Sequence, residues 1–206
     1  MVTRLFQYVV SGFSRTVIVS RTVIIALVVA GATLALAQTS ERPPVKIGFM
    51  VPLSGANAQN GRDILNGFLL LLEETGYQAG GRKIELIVED DEGIPAVGLT
   101  KARKLVERDG VHMMGGALLT STGYALAPYI ESQGIPMVYP VVSADDLTQR
   151  RRAKWIIRTG YTGSQPNHPF GEYAYDTLKL RTVATIALDY GFGWEAVGGF
   201  RRTFEE

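Results

Sequence analysis

The chain has 206 residues, a formal net charge of +1 and no cysteine. The lack of cysteine excludes disulfide bonds, thiolate metal sites, a thiol nucleophile and a lipid-modified N-terminal cysteine. The near-neutral charge argues against a nucleic-acid-binding protein, which needs a basic stripe, and we expect no nucleic-acid partner.

Residues 1–37 have the features of a secretory signal peptide. An arginine-containing segment precedes an uncharged apolar run at 22–37, which ends in the small-x-small sequence Ala35-Leu36-Ala37. As a helix this run would span about 24 Å, less than the hydrocarbon core of about 30 Å. We therefore predict cleavage after Ala37 and a periplasmic location, with an uncleaved N-terminal membrane anchor as the alternative.

Short β-rich runs alternate with helical patterns after a polar, proline-bearing linker at 38–44. The predicted strands cover 45–51, 83–89, 111–115, 135–142, 155–159 and 183–189. The predicted helices cover 63–75, 96–109, 123–133, 165–180 and 193–206. The first of these helices has apolar residues on nearly every face and is expected to be well buried. Strands separated by helices of about 10–15 residues indicate a doubly wound α/β fold with a parallel sheet.

The chain divides into one lobe and the beginning of another. We predict that residues 45–158 form the first lobe, and that 159–206 form the crossover and the start of a second, incomplete lobe. The last βα unit begins at 183, and its helix reaches Glu206 without a stop signal. The sequence therefore predicts that the second lobe is truncated here.

Small hydroxyl residues stand directly before helices in three of the loops that follow strands. Ser54 follows the first predicted strand, Thr120-Ser121-Thr122 follows the third, and Ser143 follows the fourth. In doubly wound sheets the ligand lies at the carboxyl ends of the strands. Hydroxyls and free N–H groups at a helix N-terminus suit a carboxylate. The alternative is that Thr122 and Ser143 merely cap their helices.

Catalytic and metal-binding motifs are missing from the sequence. There is no G-x-S-x-G elbow around Ser54 or Ser121, and no phosphate-binding G-x-x-x-x-G-K-[ST] loop. We expect His112 to be a buried structural residue of the third strand and His168 to lie in a surface loop. The chain is therefore expected to have no metal site, no cofactor and no enzymatic activity.

The acidic run at 89–92 is the one dense cluster of carboxylates. It lacks the alternating ligands of a calcium loop. We expect a solvated loop near the positive end of the second predicted helix, in which Asp90 or Asp91 fixes the backbone.

A series of motifs runs in order from Val45 to Glu206: PLSG, GG-x-x-x-T, IPMVYPVVSADDLT, IIRTG and ALDYGFGWE. The ordered set resembles the periplasmic branched-chain amino acid-binding proteins, the solute receptors of ABC importers. The resemblance implies the type I periplasmic-binding-protein fold, in which two α/β lobes close around a ligand that is then delivered to a membrane permease. A ligand-sensing receptor domain or an amide-type regulator on the same fold is the alternative.

The resemblance also implies roles for single residues. Thr120 takes the place of the hydroxyl that holds the ligand carboxylate, Val141 that of a carbonyl facing the ligand ammonium, and Ser143 that of a hydroxyl touching both. Phe192 replaces a common tyrosine, whose hydroxyl Tyr190 could supply. The predicted ligand-binding residues are Ser54, Asn60, Thr120, Ser121, Thr122, Val141, Val142, Ser143, Tyr190 and Phe192.

The ligand class depends on two departures from the family pattern. Asn60 stands where leucine-binding members carry an aromatic residue, and an amide makes a poor apolar wall. Phe192 cannot donate the hydrogen bond of a phenol. The expected ligand is therefore an amino acid, a polar amide or an aromatic acid.

Overall fold

Five parallel strands and one short antiparallel edge strand form a single sheet. The computed structural model describes residues 42–206, so the predicted signal peptide and anchor lie outside the described residues. The strands are β1 (Val45–Val51), β2 (Gln78–Ala79), β3 (Arg82–Asp90), β4 (Met113–Gly116), β5 (Met137–Tyr139) and β6 (Ile156–Arg158). Their spatial order is β2-β3-β1-β4-β5-β6.

Helices connect the strands as the sequence predicts. They are α1 (Ala58–Glu74), α2 (Pro95–Arg103), α3 (Thr120–Gln133), α4 (His168–Glu172) and α5 (Gly191–Glu205). A π-helical turn extends α2 over Lys104–Arg108, another extends α4 over Tyr173–Thr177, and 3₁₀ turns occupy Asp145–Leu147 and Gln165–Asn167. No helix among residues 42–206 is both long and apolar enough to cross a membrane.

The strand order confirms the doubly wound α/β class. The chain passes from β1 outward to β3, then returns to the other side of β1 to form β4. The direction of winding therefore reverses between β1 and β4, which is where ligands of open α/β sheets bind. The hydrophobic core includes the fully buried side chains Met50, Leu105, Met114, Leu126, Ile130 and Met137.

Helix α1 is buried on one face only, so the prediction of burial on nearly every face is wrong. Leu72 is 2% exposed, whereas Leu70 and Leu71 are 57% and 52% exposed. Phe68 stacks on Phe49 of β1 with ring centroids 4.7 Å apart. Successive apolar residues point in different directions around a helix, and only one side of α1 faces the sheet.

Residues 183–189 do not form the predicted strand. They carry no strand assignment in the described part of the chain, and Ile186 and Leu188 are 99% and 70% exposed. A β-rich run becomes a strand only beside a partner that accepts its ladder of hydrogen bonds. The described sheet ends at β6, so this segment has no partner strand there.

Both histidines lie in surroundings that differ from the predicted ones. His112 is exposed and lies just before β4, where its Nδ1 accepts a hydrogen bond from the backbone N–H of Lys46 at 3.0 Å. His168 is half-buried and begins α4 rather than lying in a loop. Pro169 directly after it suits the first turn of a helix, since that position needs no N–H donor.

Candidate functional site

A pair of hydroxyls lies at the carboxyl edge of the sheet, beside the point where the winding reverses. Thr120 begins α3 after β4, and Ser143 follows β5. Their Oγ1 and Oγ atoms lie 3.1 Å apart, and the two residues are only 2% and 3% exposed. Because β4 and β5 are parallel neighbours, the ends of the two strands bring these side chains together.

The capping alternative is wrong for this edge. The N-cap positions are occupied by Leu119 before α3 and by Ala144 before the 3₁₀ turn, and neither makes a side-chain cap. Thr122 lies inside the first turn of α3 and is fully buried. The first N–H groups of a helix have no intrahelical acceptor, so the start of α3 presents free donors beside the Thr120 hydroxyl.

The turn before α3 directs that helix toward β1. Gly116 has φ +101° and Ala117 has φ +59°, both in the left-handed region. The N–H of Ala117 donates to the carbonyl of Met50 at 2.5 Å. These contacts hold the α3 N-terminus at the end of β1.

Three loops meet beside this turn. A Cβ placed on Gly93, between β3 and α2, would lie 3.5 Å from Leu119 Cδ1 and 3.6 Å from Asn57 Nδ2. Leu119 precedes α3, and Asn57 lies between β1 and α1. The loops after β1, β3 and β4 therefore form one surface at the edge of the sheet.

Asp90 fastens two of these loops together. Its Oδ1 accepts hydrogen bonds from the N–H groups of Leu53 at 2.7 Å and Glu92 at 2.8 Å. Burial raises the pKa of Asp90, but the hydrogen bonds from Leu53, Ser54 and Glu92 outweigh it and hold the pKa below its ordinary value. The prediction that an aspartate fixes this backbone agrees with the geometry.

Asp91 is buried, which corrects the prediction of a solvated acidic loop. It is 1% exposed, its Oδ1 accepts from the N–H of Gly93 at 2.9 Å, and its Oδ2 has no partner within the described chain. Burial raises its pKa. Among residues 42–206, no group of three or more histidines and carboxylates is placed to hold a metal ion.

Replacing Asp90 by alanine is expected to lower the free energy of unfolding by about 1.5–3 kcal/mol, because a charged acceptor of several hydrogen bonds is lost. Its pKa is depressed in the folded chain, so this contribution is present near neutral pH and disappears as pH falls through the folded pKa. Urea unfolding at several pH values measures it. Glu92→Gln, at an exposed side chain in the same loop, is the control, and equal loss in both variants would contradict the role of Asp90.

The N-terminus of α5 packs against Thr120. Tyr190 directly precedes α5 and Phe192 is its second residue, with ring centroids 6.3 Å apart. A Cβ on Gly191, between them, would lie 3.0 Å from Thr120 Cγ2 and 3.4 Å from the Tyr124 ring. Tyr190 and Phe192 therefore flank the glycine that lies against Thr120.

A network that sequence reasoning missed lies next to this contact. Glu195 Oε1 accepts hydrogen bonds from the Tyr124 hydroxyl at 2.5 Å and from the N–H of Asp145 at 3.1 Å. Tyr124 and Glu195 are 71 positions apart in the chain. No spacing rule connects residues so distant, and the only available signal is that Glu195 ends the motif ALDYGFGWE.

The other predicted residues differ in their exposure and contacts. Ser54 and Asn60 are exposed, and Ser54 hydrogen-bonds the Asp90 carboxylate. Val142 is fully buried and packs on Gly123, whereas Val141 is 40% exposed.

A cavity of about 1160 Å³ lies between α5 and the turn at Asp145–Leu147. Ser121 and Tyr190 line it, but Thr120 and Ser143 do not. We assign more weight to the hydroxyl pair, because its donors converge at the reversal of the sheet.

Residues 44–206 match the family model of the periplasmic binding protein. The "Leu/Ile/Val-binding protein homolog 6" of Brucella abortus is 28% identical over 163 residues, covering 79% of this chain and 41% of that protein.

Two solved structures resemble the chain in sequence and fold. An ABC transporter substrate-binding protein from Sphaerobacter thermophilus is 35% identical with a TM-score of 0.71, covering 79% of this chain and 44% of that one. A solute-binding protein from Rhodopseudomonas palustris BisB5, in complex with 3,4-dihydroxybenzoic acid, is 30% identical with a TM-score of 0.73 and the same coverage.

The chain spans less than half the length of these relatives. The fold matches the first lobe of type I periplasmic binding proteins, which confirms the predicted architecture. The matched residues include every strand of the described sheet and both hydroxyl residues of the candidate site, Thr120 and Ser143. The chain therefore belongs to the periplasmic binding protein family.

Proposed function

We propose that this chain is part of the extracytoplasmic solute receptor of an ABC importer, and that it binds a small carboxylate ligand without chemical change. The observation that carries the proposal is the Thr120–Ser143 hydroxyl pair at the N-terminus of α3. The named ligands of the relatives, Leu/Ile/Val and 3,4-dihydroxybenzoic acid, share a carboxylate. Delivery to a membrane permease follows from the same family role.

The geometry indicates how a carboxylate is held. The two hydroxyls bond to each other. A carboxylate accepts from both hydroxyls and from the free N–H groups at the start of α3, and such charge-assisted bonds are stronger than a bond between neutral hydroxyls. For an amino acid ligand, the Val141 carbonyl is the proposed acceptor of the ammonium.

Ligand entry requires α5 to move. Thr120 and Ser143 are almost completely covered, and Gly191 at the start of α5 lies against Thr120. A ligand that touches both α3 and the start of α5 stabilises the closed arrangement by its greater affinity for it. Tyr190 and Phe192 then face the ligand from the α5 side, and their rings suit an aromatic acid as well as an apolar amino acid.

The test is the affinity of Thr120→Val and Ser143→Ala for benzoate and L-leucine. A hydroxyl bonded to a charged ligand contributes about 1.5–3 kcal/mol, so each variant is expected to bind the preferred probe roughly ten- to a hundredfold more weakly. Titration followed by ¹H–¹⁵N NMR measures weak affinities and shows which amides move. We expect the largest shifts at residues 120–123 and 142–144.

Thr100→Val and Ser132→Ala are matched controls, because both hydroxyls are exposed and lie on α2 and α3 away from this edge. Both controls are expected to bind like the parent chain. If Thr120→Val and Ser143→Ala also bind like the parent, or if neither probe shifts the amides at this edge, the proposed site is wrong.

A further inference from the structure

A single carboxylate joins α5 to the first lobe. Glu195 Oε1 accepts from the Tyr124 hydroxyl on α3 and from the backbone N–H of Asp145, at 2.5 and 3.1 Å. The Tyr124 oxygen accepts in turn from the N–H of Asp146 at 3.2 Å. One side chain of α5 is therefore connected to both α3 and the turn after β5, the two elements that carry Thr120 and Ser143.

The packing around Glu195 leaves little freedom. A Cβ placed on Gly163, in the crossover after β6, would lie 2.4 Å from Glu195 Oε2 and 2.9 Å from its Cβ. The N–H of Gly163 donates to the carbonyl of Ser143 at 2.8 Å. Gly163 of the crossover therefore lies against Glu195. Its backbone is also hydrogen-bonded to Ser143, which carries the second hydroxyl of the site.

Glu195 lies on the same side of α5 as the contact that covers the site. Gly191 precedes it by four residues, and residues four apart share a helix face. Gly191 lies against both Thr120 and Tyr124. The hydrogen bonds that fix Glu195 therefore also fix the first turn of α5. This turn contains Phe192 and directly follows Tyr190.

We propose that Glu195 is a positioning residue, which holds the N-terminal turn of α5 against Thr120 through its bonds to Tyr124 and Asp145. Opening of the site requires these bonds to break. The inference rests on the proposed function for the identity of the site, but the contact itself is tested without a ligand.

The charges around Glu195 give this contact a pH dependence. Asp145 and Asp146 face it from the 3₁₀ turn and Tyr124 from α3. Arg150, Arg151, His168, Asp189 and Arg202 line the same cavity. Arg150 is engaged by Asp146 at 2.8 Å, and Glu195 Oε2 is buried with no partner within residues 42–206.

Burial raises the pKa of Glu195, the hydrogen bonds from Tyr124 and Asp145 lower it, and the charges of Asp145 and Asp146 raise it, so that the net shift of the pKa is upward. A group whose pKa is raised by folding stabilises the folded state most at low pH, and that contribution is lost as pH rises through the folded pKa. The contact is therefore tighter when Glu195 is protonated and looser when it is ionised.

The experiment measures hydrogen exchange of the Asp145 and Asp146 amides in the full 206-residue chain, as protection factors between pH 5 and 8. In the parent we expect protection to fall as pH rises. Glu195→Ala is expected to lower protection roughly ten- to a hundredfold, because the Asp145 N–H and the Tyr124 hydroxyl lose their acceptor. Glu195→Gln keeps an acceptor oxygen but does not titrate. It is therefore expected to keep the amides protected throughout this pH range, with no decrease in protection as pH rises.

Glu205→Gln is the matched control, since it makes the same change on the same helix at an exposed side chain. It is expected to keep the parent's profile. If Glu195→Gln shows the same pH dependence as the parent, the inference is wrong, and this variant decides the matter even if Glu195→Ala does not fold. Failure of this test leaves the affinities of the Thr120 and Ser143 variants unaffected, so the two proposals fail separately.

Discussion

Replacing Gly116 by alanine is expected to lower the free energy of unfolding by about 3–5 kcal/mol, from backbone strain and overpacking together. Gly116 has φ +101°, a conformation that side chains rarely adopt, and an added Cβ would lie 2.2 Å from the Met50 carbonyl oxygen. The obstacle is the backbone of β1, which cannot rotate away as a side chain does. The α3 N-terminus is the part of the site most directly affected.

Urea unfolding monitored by circular dichroism measures the Gly116→Ala effect. Gly110→Ala is the control that separates backbone strain from steric overlap. Gly110 also has a positive φ, +66°, but an added Cβ there has nothing within 4 Å. We expect this control to lose only about 1–2 kcal/mol. An equal loss of stability in the two variants would show that Gly116 of β4 lies farther from the Met50 carbonyl of β1 than the structure indicates.

Two adjacent leucines of α1 are expected to differ strongly in how much stability their truncation costs. Leu72→Ala should cost about 2–5 kcal/mol, as for a fully buried leucine, because Leu72 is 2% exposed. Leu71 is 52% exposed, so Leu71→Ala should change stability by no more than about 0.5 kcal/mol. Both substitutions remove the same atoms from the same helix, so helix propensity cancels in the comparison.

Chemical denaturation of the two leucine variants provides the measurement. The difference between them reports which face of α1 lies on the sheet. Equal destabilisation of both variants would restore the first expectation from the sequence, that this helix is buried on nearly every side.

The candidate site could be predicted in part from the sequence. Thr120 and Ser143 were identifiable because each follows a β-rich run and precedes a helix, and parallel strands bring their carboxyl ends to one edge. Glu195 was not identifiable, because its partners Tyr124 and Asp145 lie 71 and 50 positions away. Hydrogen bonds between such distant residues depend on how α5 crosses the first lobe, which no local pattern contains.

The sequence by itself determined the alternation of strands and helices, the doubly wound class and the family. These follow from local periodicity and from the order of short motifs, both of which are properties of neighbouring residues. Only the tertiary structure decided that α1 buries Leu72 and exposes Leu71, that 183–189 has no strand partner in the described chain, and that the start of α5 packs against Thr120. Burial and strand pairing depend on which other surface is present, and that information arises only when distant elements pack.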